Sequence, residues 1–196
     1  MKKFGAVFVL FSSLVIFTRD GSCALKDRLV DPHYLRPPSA VACRLSYGGV
    51  NSSTVSKALH DLRGGSLEFE YEKTGSSNPF SGVIGLGYLN LDNSSASVTA
   101  YLKGPFLKAG VNLIAFSSPS MDFKLGPDIR FIQMEVADKD NSEKSYTGIG
   151  MGINLAVNIS IKPKWFAGAG IREGILNFGN EELKTRYLFL TLQRLL

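Results

Sequence analysis

The chain has 196 residues, 44% hydrophobic and 20% charged, with 22 Lys and Arg against 17 Asp and Glu and a net charge of +5. The cations are spread along the chain and form no basic stripe, which excludes a nucleic-acid surface. With 2 His and 2 Cys there is no usual zinc spacing and no metal or cofactor is expected.

Residues 1–24 read as an export signal. Lys2 and Lys3 precede an apolar run from Gly5 to Phe17, and Ser22-Cys23-Ala24 offers small residues for cleavage. The run is shorter than the ~20 residues that cross a bilayer as a helix, which argues against a retained anchor. Lipid attachment at Cys23 is the alternative processing, although Asp20-Gly21-Ser22 departs from the usual Leu-then-small pattern. After cleavage only Cys43 remains, so packing and ladder hydrogen bonds must hold the fold without an intramolecular disulfide.

Residues 25–41 form a Pro-rich leader, with Pro32, Pro37 and Pro38 favouring extended backbone. It is read as a tether, or as a strap for a periplasmic or cell-envelope protein partner. A single β-domain is expected over 42–196.

Within that domain the first strand is expected at 42–50, ending at Gly48-Gly49. One short helix is expected at 54–63, capped by Ser53 or Thr54, with Val55, Leu59 and Leu62 on one face and Gly64-Gly65 at its end. At two to three turns it must lie on something apolar, over a barrel mouth or inside it. The clearest strand is 66–72, where Leu67, Phe69 and Tyr71 alternate with Glu68, Glu70 and Glu72.

Further strands are expected at 80–91, 97–103, 108–117, 123–125, 129–137, 146–156, 164–172 and 185–196. Gly104-Pro105-Phe106 and Gly126-Pro127-Asp128 are read as turns, and 138–144 as a charged loop. In 146–156, Thr147, Ile149, Met151, Ile153 and Leu155 alternate with Gly148, Gly150, Gly152 and Asn154. This pattern gives an all-β fold, a single antiparallel up-and-down barrel of 8–10 strands with one short loop helix.

Tyr101-Leu-Lys-Gly-Pro-Phe-Leu-Lys-Ala-Gly-Val-Asn-Leu, Gly148-Ile-Gly-Met-Gly-Ile-Asn-Leu and Trp165-Phe-Ala-Gly-Ala-Gly carry a family texture. In these stretches the chain resembles the small bacterial outer-membrane β-barrel proteins, OmpA/OmpX-like, with the YfaZ family among their relatives. Members usually end in an aromatic residue, whereas this chain ends Arg194-Leu195-Leu196.

The resemblance implies a non-enzymatic barrel of the cell outer membrane with a structural, adhesion or assembly role and lipid as its partner. Leu67, Phe69, Tyr71, Ile149, Met151, Ile153, Leu188, Leu190 and Leu192 would then face lipid. Glu68, Glu70, Glu72 and Asn154 would face the lumen, the glutamates paired with cations such as Arg130 and Arg172. Trp165, Tyr146, Tyr187, Phe80, Tyr88 and Phe166 would join aromatic girdles. The alternative is an exported soluble β-barrel or sandwich, periplasmic or secreted, whose apolar stripes bind a ligand or form a core.

Catalysis has little to draw on. His60 and Asp61 are neighbours whose side chains diverge on a helix, and His60 is the one candidate for a barrel-rim lipid-modifying enzyme. Carboxylates in a row on one strand do not make a glycosidase cleft.

Overall fold

The computed structural model describes residues 39–53, 59, 62–74, 79–93, 100–117, 120–137 and 143–196. The two histidines, most of the leader and most of the expected helix lie outside them. Eight strands close into one antiparallel barrel in sequence order, β1 last pairing with β8. They are β1 (Ser39–Ser53), β2 (Arg63–Thr74), β3 (Phe80–Asp92), β4 (Tyr101–Ser117), β5 (Met121–Ala137), β6 (Glu143–Lys162), β7 (Trp165–Phe178) and β8 (Glu181–Leu195).

The count is eight because two expected turns are strand interior. Gly104-Pro105-Phe106 lies within β4 and Gly126-Pro127-Asp128 within β5. In an antiparallel strand each residue bonds one neighbour only, so a proline costs one ladder and spares the other. Both gaps fall between β4 and β5, whose register skips from Lys103↔Glu135 to Phe106↔Ile132 and from Gly110↔Asp128 to Leu113↔Leu125. Pro105 stays opposite Tyr88 and Pro127 opposite Ile153 in the intact ladders.

Other boundaries also move. Ser39, Ala40 and Val41, read as the end of the leader, begin β1, and Arg63-Gly64-Gly65 opens β2. The Gly64 backbone, at φ 158, is simply extended. Glu143 and Lys144, read as loop, begin β6.

The connections differ between the two ends. At the end that holds Ser39 and Leu195 they are 75–79, 118–120 and 163–164; at the other they are 54–62, 93–100, 138–142 and 179–180. The first is the turn end of the barrel and the second its loop end.

An eight-stranded barrel is just wide enough to be filled by its own side chains. Large inward residues sit beside glycines: Phe106 opposite Gly87, and Phe189 opposite Gly170. A Cβ at either glycine would collide with the facing ring and with a backbone carbonyl, that of Leu67 at Gly87 and of Leu155 at Gly170. Towards the loop end the filling is apolar, built from Leu89, Leu91, Leu102, Met134, Leu176 and Leu183 with their neighbours. Leu59 and Leu62, from the 54–62 connection, are buried in the same cluster, and the Val50 N–H donates to the Leu62 carbonyl at 2.9 Å.

Gly170→Val should therefore destabilise the refolded barrel by about 1–3 kcal/mol through overpacking. Gly82→Ala, whose added methyl meets nothing within 4 Å, should shift stability by no more than about 0.5 kcal/mol. Urea unfolding followed by Trp165 fluorescence checks the pair.

Candidate functional site

The middle of the lumen holds a ring of charges. Glu68 is fully buried, and its Oε1 accepts from Arg130 Nη2 at 2.8 Å and from the Ser66 hydroxyl at 3.1 Å. Lys108 Nζ lies 3.4 Å from Glu68 and 2.5 Å from Glu70. Glu70 also meets Arg44 at 3.3 Å, and Arg44 donates to Asn154 Oδ1 at 3.3 Å.

Asn154 donates in turn to Asp128, which Arg172 grips through Nε and Nη2 at 2.7–3.1 Å. Arg130 Nε lies 3.6 Å from Asp128 and returns the path to Glu68. The path closes on itself and, with Arg172, draws side chains from β1, β2, β4, β5, β6 and β7.

Glu72 sits nearer the turn end, where Lys124 Nζ reaches it at 2.6 Å and Gln193 Nε2 donates at 2.9 Å. Beside it is a small polar recess on the turn-end side of the ring, lined by Asn112, Asn158 and Thr191 among others. Among the described residues the buried lumen charges are five cations (Arg44, Lys108, Lys124, Arg130, Arg172) and five carboxylates (Glu68, Glu70, Glu72, Asp122, Asp128). A buried charge costs several kcal/mol unless paired, so equal numbers are what a dry lumen tolerates. At the border with the apolar half, the Arg44 guanidinium lies 4.0 Å from the Phe189 ring centroid and that of Arg130 4.9 Å from the Phe106 centroid.

The residues singled out from sequence divide between two faces. Glu68, Glu70, Glu72 and Asn154 are buried in the lumen. Leu67, Phe69, Tyr71, Ile149, Ile153, Leu188, Leu190 and Leu192 are on the outer surface, with Leu190 65% exposed, and Met151 on that surface is half-buried. Arg172 grips Asp128 rather than a glutamate of the row, while Lys108, Lys124 and Arg44, not singled out from sequence, join Arg130 on the glutamates.

The aromatic residues split. Tyr88 and Trp165 are on the outer surface, whereas Tyr187 and Phe166 are buried in the lumen and Tyr146 packs on Phe178 at 5.5 Å. Strand parity decides this: Phe166 shares the inward face of β7 with Arg172, and Trp165 is one residue out of phase. Cys43 is free and half-buried on the outward parity of β1.

Chemically the ring is a structural device, since each of its carboxylates is already held by a cation. Removing one partner strands the others without water, so Glu68→Ala should cost about 3–5 kcal/mol. Glu173→Ala, which breaks the exposed Arg186–Glu173 pair (2.7 Å), should cost no more than about 1 kcal/mol. Matched urea titrations of the two variants check the contrast.

No protein-family model and no curated protein matches the chain. Among solved structures it is similar to Neisserial surface protein A at a TM-score of 0.60 and 16% identity, covering 81% of this chain and 97% of that one. It is similar to Ail, the attachment invasion locus protein of Yersinia pestis, at a TM-score of 0.50 and 9% identity, covering 81% and 99%. At these identities the likeness is one of fold, and the chain has the architecture of small closed β-barrels of this type.

Proposed function

We propose that the chain is a small non-enzymatic barrel of the outer membrane, with a filled lumen and a structural, adhesion or assembly role. The observation that carries this is the inversion of polarity: a charge ring inside and rows of exposed Leu, Ile and Phe outside. A water-soluble barrel needs the reverse, and a belt of apolar side chains on a closed sheet is what lipid stabilises. Short turns at one end and longer connections at the other are the habit of bacterial outer-membrane barrels.

The non-enzymatic part rests on supply. The described lumen has neither a histidine nor a carboxylate pair free of cations. Ail is described as an attachment and invasion protein, which makes adhesion through the loop end the first role to test. Of the leader read at 25–41, the part ahead of β1 remains the proposed strap for a periplasmic or cell-envelope partner.

The protein should stay in the membrane pellet through a carbonate wash; release into the supernatant would establish the soluble reading. Ile153 is 59% exposed near the middle of β6, so Ile153→Arg should cost about 2–4 kcal/mol in lipid vesicles. On a soluble barrel the same change would lie within about 0.5 kcal/mol of neutral.

A further inference from the structure

The two ends of the outer surface differ in charge. At the loop end the described outward carboxylates Glu135 and Glu173 pair with Lys103 and Arg186, and Asp92 lies opposite Arg63. At the turn end Lys162, Lys164 and Arg194 are exposed, and no described carboxylate forms an ion pair with them. Lys162 is in register with Trp165, and Trp165 with Arg194, whose guanidinium lies 5.6 Å from the indole centroid.

Lys164 completes the group from the β6–β7 turn. Its φ is 67°, in the left-handed region where a side chain is sterically penalised and glycine is favoured. The turn places Pro163 before it, and the Leu195 N–H donates to its carbonyl at 2.8 Å, so the lysine is held against β8.

An apolar groove leads away from these cations. Ala167 and Ala169 on β7 form its floor. Leu190 and Leu192 rise on one side, and Val157 and Ile159 on the other, each in register with the alanine beside it. The walls stand two strand spacings apart, roughly 10 Å.

We infer that this face of β7 seats one anionic phospholipid, its phosphate on Lys162, Lys164 and Arg194 and one acyl chain along the groove. The inference rests on the membrane reading above and names a lipid class that reading leaves open. Phospholipid fits better than a soluble anion because the cations sit where the apolar belt ends, beside an indole suited to the interface, and the groove continues from them. A soluble anion would use the charges and ignore the groove.

Trp165 is the sole tryptophan of the chain, so its fluorescence reports on this site alone. The refolded protein is placed in phosphatidylcholine vesicles containing a minor fraction of phosphatidylglycerol, with one lipid or the other brominated in its acyl chains. Brominated phosphatidylglycerol should quench Trp165 at least about twofold more per molecule than brominated phosphatidylcholine, given up to about fivefold per cation near an anionic surface. The excess should vanish in the triple variant Lys162→Gln, Lys164→Gly, Arg194→Gln.

Lys164→Gly alone should raise resistance to urea, because glycine accepts the left-handed backbone, yet lower the phosphatidylglycerol excess. A rise in stability with the excess unchanged would make the lysine merely structural and overturn the inference. Quenching in proportion to composition would overturn it while leaving the barrel in the bilayer. Quenching by neither lipid would overturn the membrane reading itself. Loss of the excess on adding inorganic phosphate, against chloride of equal ionic strength, would reassign the cations to a soluble anion.

Discussion

Everything else in the structure depends on closure of eight strands into a cylinder too narrow for bulk water. Closure removes the sheet edges, and the interior becomes a space that side chains must fill and satisfy among themselves. A lone inward carboxylate would be untenable there, which is why Glu68, Glu70 and Asp128 share cations in a closed path rather than in isolated pairs. The path ties strands that are distant in sequence, so it fixes the relative heights of strands as well as neutralising charge. The same narrowness sets Gly87 against Phe106 and Gly170 against Phe189, each ring taking space its neighbour gives up.

Arg44 and Arg130 carry the transition from the charged to the apolar half. Each has its charge in the ring and its guanidinium carbon over a buried aromatic ring, Phe189 for Arg44 and Phe106 for Arg130. Arginine suits both tasks, because its guanidinium offers several N–H donors to carboxylates while interacting favourably with a ring face. The lumen is therefore graded along its axis, from the polar recess through the ring to the leucines at the loop end.

The legible parts of the sequence were those where period two runs unbroken. Leu67 to Glu72 shows its two faces at sight, and the glycine alternation of β6 shows which side must be thin. Pro105 and Pro127 were misleading, because proline beside glycine is turn chemistry locally, and only the β4–β5 ladder shows that a closed sheet can absorb the missing N–H groups. Arg63-Gly64-Gly65 misled in the same way, two glycines reading as a stop where they lie in an extended strand. The cation partners of the glutamate row were out of reach: Lys108 and Lys124 meet Glu70 and Glu72 through register across β3 and β4 and through barrel curvature, neither of which leaves a local mark. Trp165 and Phe166, adjacent and similar, went to opposite faces on parity alone.

The apolar half of the lumen has an electrical consequence. Leu89, Leu102, Met134, Leu176 and Leu183 form a plug of packed hydrocarbon across the path a hydrated ion would follow. Taking an ion from water into such a medium costs of order 20 kcal/mol in the idealised Born limit, and several after relaxation. Over the described buried lumen five cations meet five carboxylates, so no net counter-charge offsets it. In a bilayer such a filled cylinder would set this barrier in the path of a hydrated ion instead of offering it a pipe.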